Sequence, residues 1–221
     1  MVDYEIKYSK RKTVAIYITS DGKVEVRCPK RTRNSDIEEF INQKQKWIEK
    51  KLFELSNQSK IILRAGETTP YLGDEYLIIA TDGEEGFYSG AFHILKSEDE
   101  QYVYDALKQI YIQKAKELIP QRVHKYEEIM GLCASKIGIT SAKTRWGSCS
   151  AKNSLNFTWK LIMADLDTID YVVVHELAHI KEKNHSKNFW SLVGLYKPDY
   201  KDSKKKLRDL AVRIHRDGWE K

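Results

Sequence analysis

The segment YVVVHELAHIKEKNHSKNFW, residues 171–190, constrains the fold more than any other, because it embeds His175, Glu176 and His179 in an otherwise apolar run. Val172, Val173, Val174, Leu177, Ala178 and Ile180 call for a buried, helical segment, so the polar trio is carried toward the interior with them. Burying imidazoles and a carboxylate is costly unless they are satisfied, and a metal ion satisfies them. Positions i and i+4 project from one helix face, so His175 and His179 can grip one ion with Glu176 beside them. With 6 His in 221 residues, a His-Glu-x-x-His match arises by chance in only about 0.01 of such chains.

Zinc in a catalytic site takes three protein ligands and keeps a fourth position for water. His185 lies ten residues after His175, the spacing of the extended His-Glu-x-x-His-x-x-Gly-x-x-His motif, and is the first choice for the third ligand. The motif's glycine position holds Glu182, which leaves Asn184 as the expected helix break, and its later Met-turn has no counterpart. Asp199 and Asp202 are the competing third ligands. A zinc ion so held acidifies water and polarises the bond under attack, with Glu176 as general base and later proton donor. Ordinary helix packing, or a purely structural zinc with four protein ligands, is the competing account.

The rest of the chain reads as an α+β protein. Residues 13–19 and 23–29 alternate in hydropathy about Asp21-Gly22, a hairpin pattern, and the run from Asn34 or Ser35 places Ile37, Phe40, Ile41, Trp47, Ile48 and Leu52 at mostly helical spacing. Strand-like runs follow at 76–80 and 87–95, then a long helix from about Ser97 that Pro120 kinks or restarts and Gly131 ends. Strands about the polar turn at 150–153 and three further helices complete the chain. The expected division is a β-rich domain with one packed helix at 1–96 and a zincin-like metallohydrolase domain at 97–221.

Outside the helix motif, RWGSCS at 145–150 offers Arg145 to hold a substrate carboxylate or phosphate and Trp146 to wall a cleft, against an ordinary tight turn at Gly147-Ser148. SLNFTWKL at 154–161 is a candidate edge strand for pairing with extended substrate. Tyr196 and Tyr200 are candidate oxyanion stabilisers among 13 tyrosines, while His93, His124 and His215 read as packing or surface residues. Cys149 reads as a buried thiol rather than a nucleophile.

The segments TRWGSCSAKNSLNFTWKLIMA, IDYVVVHELAHIKEKNHSKNFW and YSKRKTVAIYITSDGKVEVRCPKR together resemble the YgjP-like metallopeptidase family, whose active helix is similar to those of SprT-like and WLM proteases. The family pattern HELAHxxxxNH falls on His175, Glu176, Leu177, Ala178, His179, Asn184 and His185, and the resemblance thereby implies His185 as third ligand. It also implies a zinc-dependent peptidase or related hydrolase, with nucleoside-triphosphate pyrophosphatase activity attributed to some members.

Composition narrows the remainder. Apolar residues at 41% can build a core, and no run reaches the roughly 18 consecutive apolar residues of a membrane span or forms a leader, so a cytoplasmic location is expected. Three separated cysteines provide neither a disulfide framework nor a cysteine zinc cluster, so histidines must hold the metal. The leading expectation is a zinc metallopeptidase acting on a peptide or protein. A nucleoside-triphosphate pyrophosphatase using the same site, and a nucleic-acid-binding or scaffold protein with structural zinc, are the alternatives. A net charge of +6 is compatible with a nucleotide or nucleic acid but too weak to argue for one, and nothing in the sequence sets the oligomeric state.

Overall fold

The structure, a computed structural model, describes residues 3–19, 22–56 and 63–219. It is α+β: the described residues form ten strands in three small sheets and five α-helices. The chain divides into compact units at 1–61 and 62–221. The position 96/97 falls inside the second unit, where Ile78, Phe92 and Ile94 share one core with Val103, Leu107 and Tyr111.

In the first unit, β1 (Tyr4–Ser9), β2 (Ala15–Ile18) and β3 (Val24–Pro29) form a sheet in the order β1-β3-β2, covered by α1 (Asn34–Ser56). The expected hairpin joins β2 to β3, with Gly22 at φ 78°, while Asp21 lies outside the described residues. Strand β1, which alternation alone did not reveal, pairs parallel to β3. Val24, Val26 and Cys28 pack on Ile37, Ile41 and Ile48. Trp47, expected on this apolar face, is 45% exposed, because the helix turns about 100° between it and Ile48.

The second unit opens with β4 (Thr68–Tyr71), β5 (Asp74–Thr81), β6 (Gly86–Tyr88) and β7 (Ala91–Leu95) in the order β4-β5-β7-β6. The run at 87–95 is two strands rather than one: Ser89 and Gly90 both take positive φ, 51° and 73°, and make a two-residue hairpin turn. Helix α2 (Glu100–Met130) starts at Asp99, whose side chain accepts from the Gln101 N–H, and ends at Gly131 with φ 62°. It runs unbroken through Pro120, where a kink or restart was expected. The carbonyl that Pro120 leaves without a helical partner belongs to exposed Lys116, where solvent can satisfy it.

Strands β8 (Lys136–Thr140), β9 (Gly147–Cys149) and β10 (Ser154–Thr158) form a third sheet, followed by a 3-10 turn at Trp159–Met163 and by α3 (Leu166–Lys181), α4 (Lys187–Tyr196) and α5 (Tyr200–Arg216). The sheet order is β8-β10-β9, so β10, expected as a substrate-pairing edge, is paired on both sides. The edge strand that packs on α3 is β9. No described helix is long and apolar enough to cross a membrane.

Helix α3 buries Ile169, Val172, Val173, Val174 and Leu177, and Asp165 caps it by accepting from the Thr168 N–H. A guanidinium fork locks it to α2: Arg122 Nε donates to Asp170 Oδ1 at 2.6 Å, Nη2 donates to Oδ2, and the Tyr126 hydroxyl donates to Oδ2 at 3.0 Å. Asp170 is buried and the Arg122 side chain is 21% exposed. Asp170→Ala is therefore expected to destabilise the fold by about 2–3 kcal/mol, near the low end for removing one partner of a buried pair, measured as a shift in the denaturant midpoint. A shift worth under about 0.5 kcal/mol would show that the fork does not hold α3.

Candidate metal centre

Helix α3 presents His175 and His179 one turn apart, and the segment after it returns His185 to them. His185 Nε2 lies 3.1 Å from His175 Nε2 and 3.2 Å from His179 Nε2. Nitrogens about 2.0–2.1 Å from a tetrahedral zinc are about 3.3 Å apart, so these three fit ligands of one ion. Among the described residues no carboxylate, cysteine or further histidine joins the group. Asp199 and Asp202, the competing ligands, lie at the start of α5 outside it.

The imidazoles suit ligation chemically as well. His179 Nδ1 donates to the Glu182 carbonyl at 3.0 Å, which leaves Nε2 as the lone-pair nitrogen facing its neighbours. Burial, and then the charges of His179 and His185, lower His175 to about 3, so its ring is neutral at physiological pH. The ring of fully buried Phe189 on α4 lies 4.9, 4.5 and 4.7 Å from the rings of His175, His179 and His185. Trp190 stacks on His185 at 5.6 Å and Tyr200 stacks on Trp190 at 5.1 Å. The helix ends at Lys181 with extended Glu182 as its cap, not at Asn184, whose side chain instead accepts from the Ser186 N–H. That early stop supplies the free Glu182 carbonyl.

Glu176, one residue and about 100° around the helix from His175, lies against β9 and is 6% exposed. Burial raises its carboxyl to about 7, with the Arg145 charge opposing, and a cation bound at the histidines would lower it again. No described side chain hydrogen-bonds to its carboxylate. A Cβ on Gly147 would fall 2.7 Å from both Cγ and Oε1 of Glu176 and 2.9 Å from Cδ. Gly147 is thus a strand residue whose missing side chain makes room for the carboxylate, where a tight turn had been the plain reading of RWGSCS.

Phe189, Trp190 and Gly147 carried no role in the sequence reading. Lys204 lies over Trp190 at 4.7 Å and adds its charge to the surroundings of His175. Only the glycine in RWGSCS and the aromatic pair after the last histidine gave any signal for them. Of the candidate tyrosines, Tyr200 packs at this wall and Tyr196 makes no ring contact with the imidazoles. His93 stacks on Tyr88 and His124 meets Glu127, both away from the centre. Burial pushes the Cys149 thiol up, which disfavours a nucleophilic thiolate. Arg145 and Trp146 line a cavity whose walls include neither Glu176 nor the histidines.

A family model described as a YgjP-like metallopeptidase domain matches residues 12–210. No curated protein sequence matches the chain. Among solved structures, the metallopeptidase zymogen of Pyrococcus abyssi abylysin aligns at 21% identity and a TM-score of 0.36, covering 44% of this chain and 91% of that one. The metallopeptidase zymogen of Methanocaldococcus jannaschii jannalysin aligns at 25% identity and a TM-score of 0.34, covering 43% and 92%.

Proposed function

The chain belongs to the YgjP-like metallopeptidase family, and from that premise we propose that it is a zinc-dependent peptidase with His175, His179 and His185 as ligands and Glu176 as general base. The peptidase-like hydrolase class follows from the family; the ion and the residue roles are our reading. The convergence of the three Nε2 atoms carries it, because three imidazoles at ligand spacing beside a buried carboxylate suit a hydrolytic rather than a purely structural centre. When bound, zinc supplies a Lewis acid that acidifies water and polarises the scissile carbonyl.

The chain's own groups do the rest. Glu176, kept from bulk water between α3 and β9, takes a proton from the attacking water and returns it to the departing amine. Phe189 and Trp190 hold the imidazole rings in place from one side. The open edge of β9 receives an extended peptide. Thr158 N–H donates to the Trp146 carbonyl and Ser150 N–H to the Ser154 carbonyl, so the alternation of an antiparallel ladder turns the backbone groups of Gly147 and Cys149 outward. A substrate strand hydrogen-bonded there runs past Glu176.

The test joins metal analysis to substrate profiling. Purified protein is expected to carry about one zinc per chain and to cleave an internally quenched peptide library, with chelation abolishing cleavage and zinc restoring it. His175→Ala and His179→Ala are expected to lose the metal. Full metal retention in both variants would overturn the site, and pyrophosphate release from nucleoside triphosphates without peptide cleavage would transfer the same centre to phosphoanhydride hydrolysis. Nucleic-acid binding that survives Glu176→Gln, with no hydrolysis of either substrate class, would favour a scaffold.

A further inference from the structure

The segment leading into β9 forms a second feature that the metal centre does not use. Ala142, Lys143, Thr144, Arg145 and Trp146 line a 240 Å³ cavity together with Thr158, Lys160 and, from α5, Ala211 and Ile214. Among the described residues that line it, every charged one is a cation. Two other cavities have both signs on their walls, Lys206 and Arg213 with Asp165 and Asp209 in one, Lys114 with Glu85 in the other. Neither Lys143 nor Arg145 forms an ion pair with any described carboxylate, although both are exposed.

We propose that this cavity is a substrate subsite for a carboxylate, in which Lys143 and Arg145 pair with an acidic group of the peptide and Trp146 covers its stem. The inference rests on the peptidase reading and adds the class of peptide. Arg145 is two residues from Gly147, about 7 Å along an extended chain, so a peptide lying on the β9 edge with its scissile bond at Glu176 has a side chain or terminus within reach of the cavity. The guanidinium presents paired donors that match a carboxylate, and the indole face packs on the methylenes behind it. The volume is below the roughly 300 Å³ at which small-molecule pockets begin, which suits one side chain rather than a nucleoside triphosphate.

Two sources of the carboxylate are distinguishable, an Asp or Glu side chain and the peptide's own C-terminus. The experiment is a positional scan of internally quenched peptides with the zinc-loaded full chain, Glu against Gln at each of three positions on either side of the cleaved bond, together with free-acid against amidated C-termini. Wild type is expected to prefer the carboxylate form at one position, or at the terminus, by ~10- to 100-fold in kcat/KM, the range of a charge-assisted hydrogen bond. The ratio is expected to approach one in Arg145→Gln with Lys143→Gln, and Arg145→Glu is expected to turn the preference toward Lys at the same position. Reading a ratio within each variant separates selectivity from any general loss of rate. Robust cleavage with no carboxylate preference anywhere would overturn the subsite and leave the peptidase reading intact. A preference that survives all these variants would also overturn it, and failure to cleave any peptide would overturn both.

Discussion

Replacing Glu176 with Gln is expected to lower kcat on a cleaved peptide by about 10²- to 10⁴-fold, with the metal retained at the wild-type level. The substitution keeps the shape of the side chain, so the fit against Gly147 and the packing of α3 are preserved, and only the capacity to take and return a proton is lost. The carboxyl suits that task because burial holds its affinity for protons well above that of an exposed glutamate. No described side chain bonds to it, so the carboxylate has no competing partner within the protein. If Glu176 instead only filled space, Gln would serve as well, and a loss of less than about tenfold with normal metal content would remove it from the reaction. A large loss accompanied by loss of metal would mean that Gln had disturbed the histidines, which the metal analysis detects.

The centre was legible in sequence because a helix imposes its own geometry. Four residues make one turn, so the pair His175 and His179 had to share a face wherever the helix lay. His185 was legible only through motif spacing and family resemblance, since its position depends on a loop, and the helix that feeds this loop stops at Lys181 rather than at Asn184. Helix α1 was readable from the helical spacing of its apolar residues, and α3 from the apolar run around its histidines. What escaped was whatever depends on partners distant in the chain. Strand β1 exists through its parallel pairing to β3, and the central place of β10 is set by β8 and β9 on its two sides. The apolar character of Leu155 and Phe157 fits a buried strand equally well at an edge or a centre. Position 97 marks a real change from strands to helix, yet the two groups share one core, which only the packing reveals.

Gly147→Ala is expected to damage activity severely while leaving the histidines untouched. Gly147 does not lie in the left-handed region that favours glycine, so alanine meets no backbone strain there. The obstacle is steric: the added methyl would sit 2.7–2.9 Å from three atoms of Glu176, well inside ordinary contact. The side chain is buried, so relief requires about 1 Å of movement by the carboxylate or by β9, and a displacement of that size at a reacting group costs about 10²-fold in rate. The same overpacking is expected to lower stability by about 1–3 kcal/mol. Zinc content is expected to stay at the wild-type value, because the three atoms closest to the added methyl all belong to Glu176. A double-mutant cycle isolates the cause: in a Glu176→Ala background the obstructing atoms are gone, so Gly147→Ala should then cost little stability, a coupling of about 1 kcal/mol or more. Equal stability costs in the two backgrounds, or a Gly147→Ala enzyme with wild-type kcat, would show that this glycine is not what seats the base.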